Sequence, residues 1–419
     1  MRRHALPWCL VLLPLLAQPQ STLRCMSYNL LNFPEPNPQG KVDTLRKILQ
    51  FHPVDLLICQ ELRTQAAALS VLDEALNVDG EDRFSMAGWQ PQVSGGGGGS
   101  YSLQQIVYFD HDKLGLKEQA YLTTFIRDIN VYTFYLKDDL LGTVPDTTFL
   151  TVYAVHFKAG STPTDVTERN AMAQTLVAHL VTLPPQRAVM VAGDMNLYTA
   201  FEPAFQTLLS SSNAIQLRDP ANAFGGWGGS SAYAALHTQS TRVNVIYSDG
   251  AGGGLDDRFD IALVSDGLMN PTSRLHHVNG TYRALGNSGT CFNANITSCS
   301  AIQTPYAILQ SLYYMSDHLP VVFTLDYQGI VSSIIGSTAY PARIRWREGL
   351  GVEWENERAQ QGTFRLLDLL GRTVVEETRN WPAGLVHVAL PQQRTAGVCI
   401  ASFAGTDGTF TQRLFISGP

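Results

Sequence analysis

The sequence predicts a mixed α/β sandwich followed by a small all-β sandwich. Strand-like apolar segments alternate with helix-like segments in much of the first 326 residues, yet three strand-like segments in the middle follow one another without a helix. Adjacent strands without crossover helices favour two packed mixed sheets with helices outside them. After Asp326 the texture changes to short β-like segments separated by Gly and Pro, which is typical of a small β-sandwich.

The individual elements follow from periodicity and from turn signals. The strand-like segments are "STLRCMSYNLLNF", "VDLLICQE", "LQQIVYF", "NVYTFYL", "TFLTVYAVHF", "AVMVAGDMN", "RFDIALVS" and "HLPVVFTL". Apolar residues at helical spacing predict helices over "VDTLRKILQF", "TQAAALSVLDEAL" and "TERNAMAQTLVAHLV", with a short helix near 202–209. We expect Pro184 and Pro185 to end the third helix.

Length and the N-terminus set the domain organisation. A chain of 419 residues with 45% apolar residues is too long for one ordinary core. Arg2 and Arg3 precede an apolar run over 10–16 that is too short to span a membrane, so we expect a signal peptide over 1–20, cleaved just after Ala17. We therefore predict one domain over 21–328, a linker over 329–338 and a β-sandwich domain over 339–419.

The net charge limits how the chain can bind a polyanion, and the cysteine positions indicate which thiols can pair. The net charge of −7 argues against a broad basic surface, so any binding of a polyanion must use a small basic region. Cys291 and Cys299 lie close together in a polar segment and can pair outside the cell. Cys25 and Cys59 lie in apolar runs and are expected to be buried thiols. The cysteine spacings match no zinc pattern.

Polar residues recur at the ends of the predicted strands. Asp194 and Asn196 follow the strand "VMVAG" two residues apart, which would place them on one face, and either residue alone would be taken for a turn cap. The same position beside a strand end is occupied by Asn29, Glu61, His156, Asp260, Asp317 and His318. So many uncompensated carboxylates would cost more free energy than a marginally stable fold tolerates. We expect them to share a divalent cation, with the histidines supplying protons, which indicates phosphate-ester hydrolysis.

The order of these segments carries a family resemblance. The blocks "MSYNL", "ICQE", "AVHFKAG", "AGDMNLY", "DRFDIALVS" and "SDHLPV" resemble the endonuclease/exonuclease/phosphatase superfamily, which includes deoxyribonuclease I, apurinic endonucleases and neutral sphingomyelinases. The resemblance covers about residues 23–325. It implies a four-layer α/β/β/α sandwich and phosphoester cleavage that depends on Mg²⁺, while Mn²⁺ and Ca²⁺ stay open.

The resemblance also implies a role for each polar residue. Glu61 would be the principal metal ligand, helped by Asn29 and, at a second position, by Asp317. Asp194 and Asn196 would orient the attacking water and hold the scissile phosphate.

His318 would be the catalytic histidine and Asp260 its carboxylate partner; the choice of Asp194 or His318 as the base stays open. His156 resembles the second histidine of deoxyribonuclease I and sphingomyelinases. Deoxyribonuclease I pairs that histidine with a glutamate, whereas residues 101–105 here contain no acid. We therefore expect His156 to be less basic, or to act only as a hydrogen-bond donor. Arg127 resembles the phosphate-contacting arginine of deoxyribonuclease I; the alternative is a salt bridge with Asp128.

The C-terminal part resembles the sorting domain of type IX secretion. The matching pieces are "LLDLLGRTVVEE", "LVHVAL" and "TQRLFI". This resemblance implies export through the periplasm to the cell surface or the medium, with the secretion machinery as a partner. A generic adhesion or carbohydrate-binding sandwich is the alternative.

Three classes of function are compatible with the sequence. We favour a secreted, monomeric, metal-dependent nuclease or phosphodiesterase that acts on nucleic acid. A sphingomyelinase-like phospholipid phosphodiesterase needs an exposed apolar element, for which Trp227 in "FGGWGGSSAY" is the candidate. A catalytically silent surface-binding protein is disfavoured, because every catalytic-type residue of the family pattern is present.

Overall fold

The computed structural model describes residues 20–35, 40–96, 103–137, 141, 147–328, 345–347, 351–356, 358–368, 372–390, 397–405 and 408–416. The chain divides into two compact units, the first ending at Ile330 and the second beginning at Val331. The predicted linker and all but the last residue of the predicted signal peptide lie outside the described residues. None of the helices in the described ranges is both long enough and apolar enough to cross a membrane.

The first unit contains two mixed sheets. Its strands are β1 (Gln20–Phe33), β2 (Leu56–Leu62), β3 (Phe84–Met86), β4 (Gln104–Asp110), β5 (Leu114–Leu122), β6 (Ile129–Leu136), β7 (Phe149–His156), β8 (Ala188–Asp194), β9 (Leu217–Arg218), β10 (Asp260–Ser265), β11 (Leu275–His277), β12 (Arg283–Ala284) and β13 (Val321–Gln328). One sheet has the order β11-β13-β1-β2-β4-β3, with β12 also on β13; the other has the order β5-β6-β7-β8-β10-β9. The central pairs β1–β2 and β7–β8 are parallel.

Helices cover the outer face of each sheet. They are α1 (Lys41–Phe51), α2 (Gln65–Val71), α3 (Pro163–Leu180), α4 (Pro203–Leu208), α5 (Asp266–Met269) and α6 (Tyr306–Met315). Buried side chains of α1 and α6 belong to the core of the first sheet, whereas those of α3 and α4 pack with Tyr153 and Val155 of the second. Between the sheets, the rings of Phe109 and Phe134 lie 5.1 Å apart. The predicted four-layer α/β/β/α sandwich is confirmed.

Local signals explain where α3 begins. The Thr162 hydroxyl accepts a hydrogen bond from the backbone N–H of Asp165, and the Asp165 carboxylate accepts one from the backbone N–H of Thr162. This reciprocal cap, with Pro163 at the first helical position, starts the helix four residues earlier than the apolar periodicity indicates. The helix ends at Leu180, ahead of the two prolines that we expected to stop it.

The second unit is a small all-β sandwich, as predicted. Its strands are β14 (Arg345–Arg347), β15 (Gly351–Asn356), β16 (Gln360–Asp368), β17 (Thr373–Trp381), β18 (Gly384–Val388), β19 (Gly397–Gly405) and β20 (Gly408–Ile416). They form antiparallel sheets with the orders β14-β15-β18 and β17-β16-β19-β20. The core contains Trp354, stacked on Phe364 at 5.1 Å, together with Trp381 and Phe403.

The cysteines lie where the sequence placed them. Cys291 and Cys299 form a disulfide, and Cys25 and Cys59 are buried free thiols of the first core. Burial raises the pKa of both free thiols, which makes them unreactive core residues.

Candidate active site

The candidate site lies at one edge of the two central sheets, where β2, β7 and β8 end and β10 begins. Gly193 allows this edge to form: a Cβ atom at Gly193 would lie 1.9 Å from the carbonyl oxygen of Val155 on β7. Only glycine therefore permits this approach of β8 to β7. The register then places His156 beside Asp194, and Asp194 beside Asp260.

Glu61 is held at this edge by two donors. Its backbone is left-handed (φ 63°), which is rare for a residue other than glycine, and the β1–β2 register shifts at this point. Its Oε1 accepts from Nδ2 of Asn29 at 3.0 Å, and its Oε2 accepts from the backbone N–H of Asn32 at 2.9 Å. The carboxylate is thus fixed in one orientation.

Asn29 joins the two central carboxylates. Besides Glu61, its Nδ2 contacts Oδ2 of Asp194 at 3.1 Å, while its Oδ1 accepts from the backbone N–H of Leu31. The amide nitrogen, not the oxygen, therefore faces the carboxylates, and a role for Asn29 as a direct metal ligand stays a prediction.

Asp194 and Asn196 are close together, but not for the reason that the sequence suggested. The strand ends at Asp194, and Asn196 has a left-handed backbone (φ 50°), so the alternation of faces along a strand does not extend to it. Instead, the backbone N–H of Asn196 donates to Oδ1 of Asp194 at 3.0 Å. The expectation of a shared strand face is wrong, although both residues do lie at the site.

His156 faces both carboxylates. Its Nε2 lies 3.5 Å from Oδ2 of Asp194 and 3.8 Å from Oε1 of Glu61, while its Nδ1 has no hydrogen-bond partner among the described residues. Burial, aided by the charges of Arg127 and His318, lowers the pKa of His156 well below its usual value. This direction agrees with the expectation of a less basic His156, although the cause is burial rather than a missing acidic partner, and the role of His156 stays a prediction.

His318 has the opposite electrostatic setting. Its Nδ1 lies 2.7 Å from Oδ2 of the fully buried Asp260. Burial alone would lower the pKa of His318, but the carboxylates of Asp260, Asp317 and Asp194 together raise it well above its usual value. Asp260 therefore holds the His318 ring at Nδ1, while its Nε2 lies 2.7 Å from Nε2 of Gln239 and 3.8 Å from Oδ2 of Asp194.

The central groups suit a hard divalent cation. The ligand atoms of Glu61, His156 and Asp194 all lie within 4.8 Å of one another. Burial raises the pKa of Asp194 to about 7; the charge of His318 opposes this shift, and the carboxylates of Asp260 and Glu61 add to it. A cation would offset that crowding of negative charge, so the residues fit the metal that the sequence implies.

Asp317 lies on the other side of His318. Its Oδ2 accepts from Nε2 of Gln239 at 3.1 Å and from the backbone N–H of Ala251 at 2.6 Å. Its Oδ1 accepts no hydrogen bond from the described part of the chain and lies 4.0 Å from Nε2 of His318.

Arg127 and Asn196 meet at one carbonyl group. Nη1 of Arg127 and Nδ2 of Asn196 both donate to the backbone oxygen of Phe157, at 3.1 and 3.2 Å. Asp128 instead accepts from the backbone N–H groups of Val93 and Ser94. The alternative of an Arg127–Asp128 salt bridge is therefore wrong, and Arg127 carries its charge at the edge of the site.

Two site residues had no distinguishing signal in the sequence. Gln239 lies in a loop, with its Nε2 2.7 Å from Nε2 of His318. Asn32 lies in β1 where the pairing with β2 shifts register, between Asn29 and Phe33, and its backbone N–H donates to Oε2 of Glu61. A loop glutamine and a backbone N–H carry no pattern that a single sequence can show.

Trp227 is not an exposed apolar element. Its side chain is fully buried in the core between the second sheet and α4, and its Nε1 donates to the backbone oxygen of Leu197 at 2.8 Å. The glycines around it suggested a mobile loop, but the indole ring packs against Phe205. Trp227 is therefore not the exposed apolar element for which the sequence made it the candidate.

Fold and site together define a class: an α/β/β/α sandwich with carboxylates and two histidines gathered at one sheet edge. No protein-family model matches the chain, and no curated protein matches it. Similar solved structures include humanized D. rerio TDP2, at 14% identity over 73% of this chain and 98% of that one, with a TM-score of 0.46. An endonuclease/exonuclease/phosphatase from Bacteroides vulgatus is 14% identical over 74% of this chain and 100% of that one, with a TM-score of 0.46. The human Nocturnin catalytic domain is 14% identical over 74% and 98%, with a TM-score of 0.42.

Proposed function

We propose that the first unit is a metal-dependent phosphodiesterase of the endonuclease/exonuclease/phosphatase kind, and that its substrate is nucleic acid. The observation that carries the proposal is the cluster of Glu61, His156 and Asp194 beside the His318–Asp260 pair. Carboxylates that share a cation next to a charged histidine are suited to hydrolysis of a phosphate ester.

Each residue of the site would have its own role in the proposed reaction. A divalent cation held by Glu61 and Asp194, with Mg²⁺ the best fit, would neutralise charge that develops on the phosphate. Asp260 would keep the His318 ring oriented, with Nε2 turned toward the phosphate, and would stabilise the proton that His318 takes up or releases during the reaction. His156, neutral at physiological pH, contributes a hydrogen bond without adding charge. Asp194 is placed to orient or deprotonate the attacking water.

The preference for nucleic acid rests on Arg127 and Asn196. Both side chains lie at the Phe157 carbonyl, beside the catalytic carboxylates, and together offer donors to a phosphate group. The net charge of −7 limits long-range attraction to a polyanion. We therefore expect modest affinity and a salt dependence of about two to four released ions.

A phospholipid substrate is the second candidate, on a different observation from Trp227. The loop over 243–250 exposes Val243, Val245 and Tyr247, by 41, 50 and 39%. It is tied to the site, because Asp249 of this loop accepts from Nδ2 of Asn32. An apolar tip next to the catalytic edge is what an enzyme that acts on a lipid surface needs.

A substrate panel separates these candidates. Purified protein is tested with Mg²⁺ on single- and double-stranded DNA, RNA, sphingomyelin vesicles and a small phosphodiester. We expect cleavage of nucleic acid that an excess of chelator abolishes. Glu61→Gln should raise the metal concentration for half-maximal activity more than about tenfold, whereas Glu118→Gln on the exposed edge strand should not change it. Full turnover in excess chelator would rule the proposal out.

Arg127→Ala tests the substrate preference. The variant should raise KM on nucleic acid and flatten the salt dependence by about one ion, with little change on the small phosphodiester. Vesicle hydrolysis without nucleic-acid cleavage would reverse the ranking. In that case, serine at positions 243, 245 and 247 should abolish vesicle binding.

We also propose that the chain is exported, and that the second unit is the sorting domain that carries it across the outer membrane. The support is the signal-peptide pattern of the N-terminus and the resemblance of the last 80 or so residues to type IX sorting domains. The experiment for this proposal is a truncation, given at the end of the Discussion.

A further inference from the structure

Lys41 is a buried lysine whose partners are backbone carbonyl groups. It is the first residue of α1 and only 3% exposed. Its ammonium donates to the backbone oxygens of Leu30, at 2.8 Å, and Leu31. An ammonium is costly to bury, and burial lowers the pKa of Lys41 to about 7, against the attraction of Asp249, Glu61 and Asp317.

The carbonyls that Lys41 binds belong to a strained piece of backbone. Leu31 and Asn32 are consecutive left-handed residues, with φ of 48° and 50°. Neither is glycine, so each such conformation is unfavourable and persists only where the surroundings determine it. In the described structure the determinants are the Lys41 ammonium and the groups of the candidate site.

This segment positions the catalytic carboxylate. Because the chain turns at Leu31 and Asn32, the backbone N–H of Asn32 reaches Oε2 of Glu61 at 2.9 Å. The same turn lets Nδ2 of Asn32 bind Asp249 at 2.9 Å, and lets the N–H of Leu31 bind Oδ1 of Asn29 at 3.0 Å. A change in the turn therefore displaces the N–H group that Glu61 accepts from and the N–H group that Asn29 accepts from at the same time.

We propose that Lys41 is a positioning residue for the metal centre: its ammonium clamps the 30–32 turn, which orients Glu61 and Asn29. The inference rests on the proposed function, because it assumes that Glu61 binds a cation. Lys41 itself does not reach the carboxylate through any hydrogen bond of the structure; it acts through the two carbonyl groups.

The chain offers a matched control at the other end of the same strand. Nζ of Lys113 donates to the backbone oxygen of Thr22 on β1 at 2.9 Å and pairs with Asp55 at 2.9 Å. Lys113 therefore also binds a backbone carbonyl of β1, but at Thr22, which is at the opposite end of β1 from the 30–32 turn that contacts Glu61. Replacing it tests the loss of a clamping lysine without a change at the catalytic edge.

The experiment measures Mg²⁺ binding by calorimetry and Mn²⁺ binding by electron paramagnetic resonance, on the full chain. Lys41→Met should weaken binding about 10- to 100-fold, with far-UV circular dichroism unchanged and with kcat largely recovered at saturating metal. Lys41→Gln, which keeps a neutral donor, should lie between Lys41→Met and the native chain. Lys113→Met should lower the melting temperature without changing the metal affinity.

The failures of the two proposals are distinguishable. A native chain that binds neither ion contradicts the proposed function. A native chain that binds metal, together with Lys41→Met that binds it equally well, overturns the positioning role alone. Unfolding of both Lys41 variants also overturns it, because Lys41 would then act on stability as a whole.

Discussion

His156 and His318 show how surroundings give one side chain two roles. Both rings are buried at the same edge, yet the pKa of His156 lies well below the usual histidine value and that of His318 well above it. Burial lowers the pKa of both rings, but the carboxylates of Asp260, Asp317 and Asp194 outweigh burial at His318. At His156 the charges of Arg127 and His318 add to the effect of burial.

If Asp260 acts through His318, their substitutions must not be independent. His318→Ala should lower kcat by about 10²–10⁴-fold, and Asp260→Asn should cause a smaller loss. The double variant should be little worse than His318→Ala, because Asp260 has nothing left to orient. Steady-state kinetics at saturating metal measures this, with His179→Ala, which removes a partner of Tyr153, as the control. Losses that multiply would show that the two residues act separately.

The residues of the site were predictable to different degrees. Five of the site residues lie at or next to the end of an apolar strand, namely Glu61, Asp194, His156, Asp260 and His318. Strand ends that share one edge of the sandwich bring such residues together. Gln239, Asn32 and Lys41 lie in loops or act on backbone groups, where type and spacing carry no signal. Trp227 was misinterpreted because its glycine-rich neighbours resemble a mobile loop, whereas glycines also let a large ring pack closely.

At the scale of elements, the sequence pattern predicts eight of the thirteen strands and four of the six α-helices that the structure describes in the first unit. It misses the short strands β3, β9, β11 and β12, the helices α5 and α6, and the longer strand β5, whose absence from the prediction has a physical reason. β5, over Leu114–Leu122, is the edge strand of its sheet, and its residues are largely exposed after Leu116. An edge strand with charged side chains lacks the apolar run that identified the other strands. The order of strands within each sheet is set by contacts distant in sequence, so the sequence pattern did not predict it.

An ion network ties the ends of several strands together opposite the catalytic edge. Asp55, just before β2, is fully buried and accepts from Arg24 on β1 at 2.8 Å. Lys113, between β4 and β5, lies 2.9 Å from the same carboxylate, and Arg83 3.7 Å. Burial alone would raise the pKa of Asp55, but the hydrogen bonds from Arg24 and Lys113 lower it.

Removal of the Asp55 charge should therefore destabilise the first unit. Asp55→Asn leaves Arg24 and Lys113 without their carboxylate partner, whereas Arg83 keeps Asp110 and Glu81, and the change should reduce the free energy of unfolding by about 3 kcal/mol. Asp266→Asn, which breaks an exposed pair with Arg218, should change it by less than about 1 kcal/mol. Urea unfolding at pH 7 measures both. An effect of Asp55→Asn no larger than that of Asp266→Asn would mean that the network does not hold the strands.

The lowered pKa of Asp55 also fixes the pH dependence. The folded state binds the proton more weakly than the unfolded state, so the stabilisation is complete above the unfolded pKa of about 3.9. It is lost as the pH falls through the lower, folded pKa. The difference in unfolding free energy between the native chain and Asp55→Asn should thus be constant from pH 7 to about pH 5, and should shrink below about pH 4.

At the scale of the whole molecule, the sequence indicates two parts through a change of texture after Asp326, and the described chain divides at 330/331. Each part has hydrophobic clusters formed from its own residues: those of the first end at Tyr327, and that of the second begins at Val352. The predicted domain boundaries and the export route remain predictions, since they concern processing and transport.

Because each unit has its own hydrophobic core, we expect the first unit to fold without the second. Deletion from Ala339 should leave a first unit that folds, with hydrolase activity and Mg²⁺ affinity close to those of the full chain, because all the residues of the candidate site precede position 319. In a host with type IX secretion, the truncated chain should be retained in the periplasm, while the full chain reaches the surface or the medium. Cell fractionation, with the protein and its activity measured in each fraction, tests both statements. Glu61→Gln in the full chain serves as a control that needs more metal for activity but is exported like the native chain. A truncated chain that folds and is still exported would contradict the sorting role of the second unit, whereas one that fails to fold would show that the two cores depend on each other.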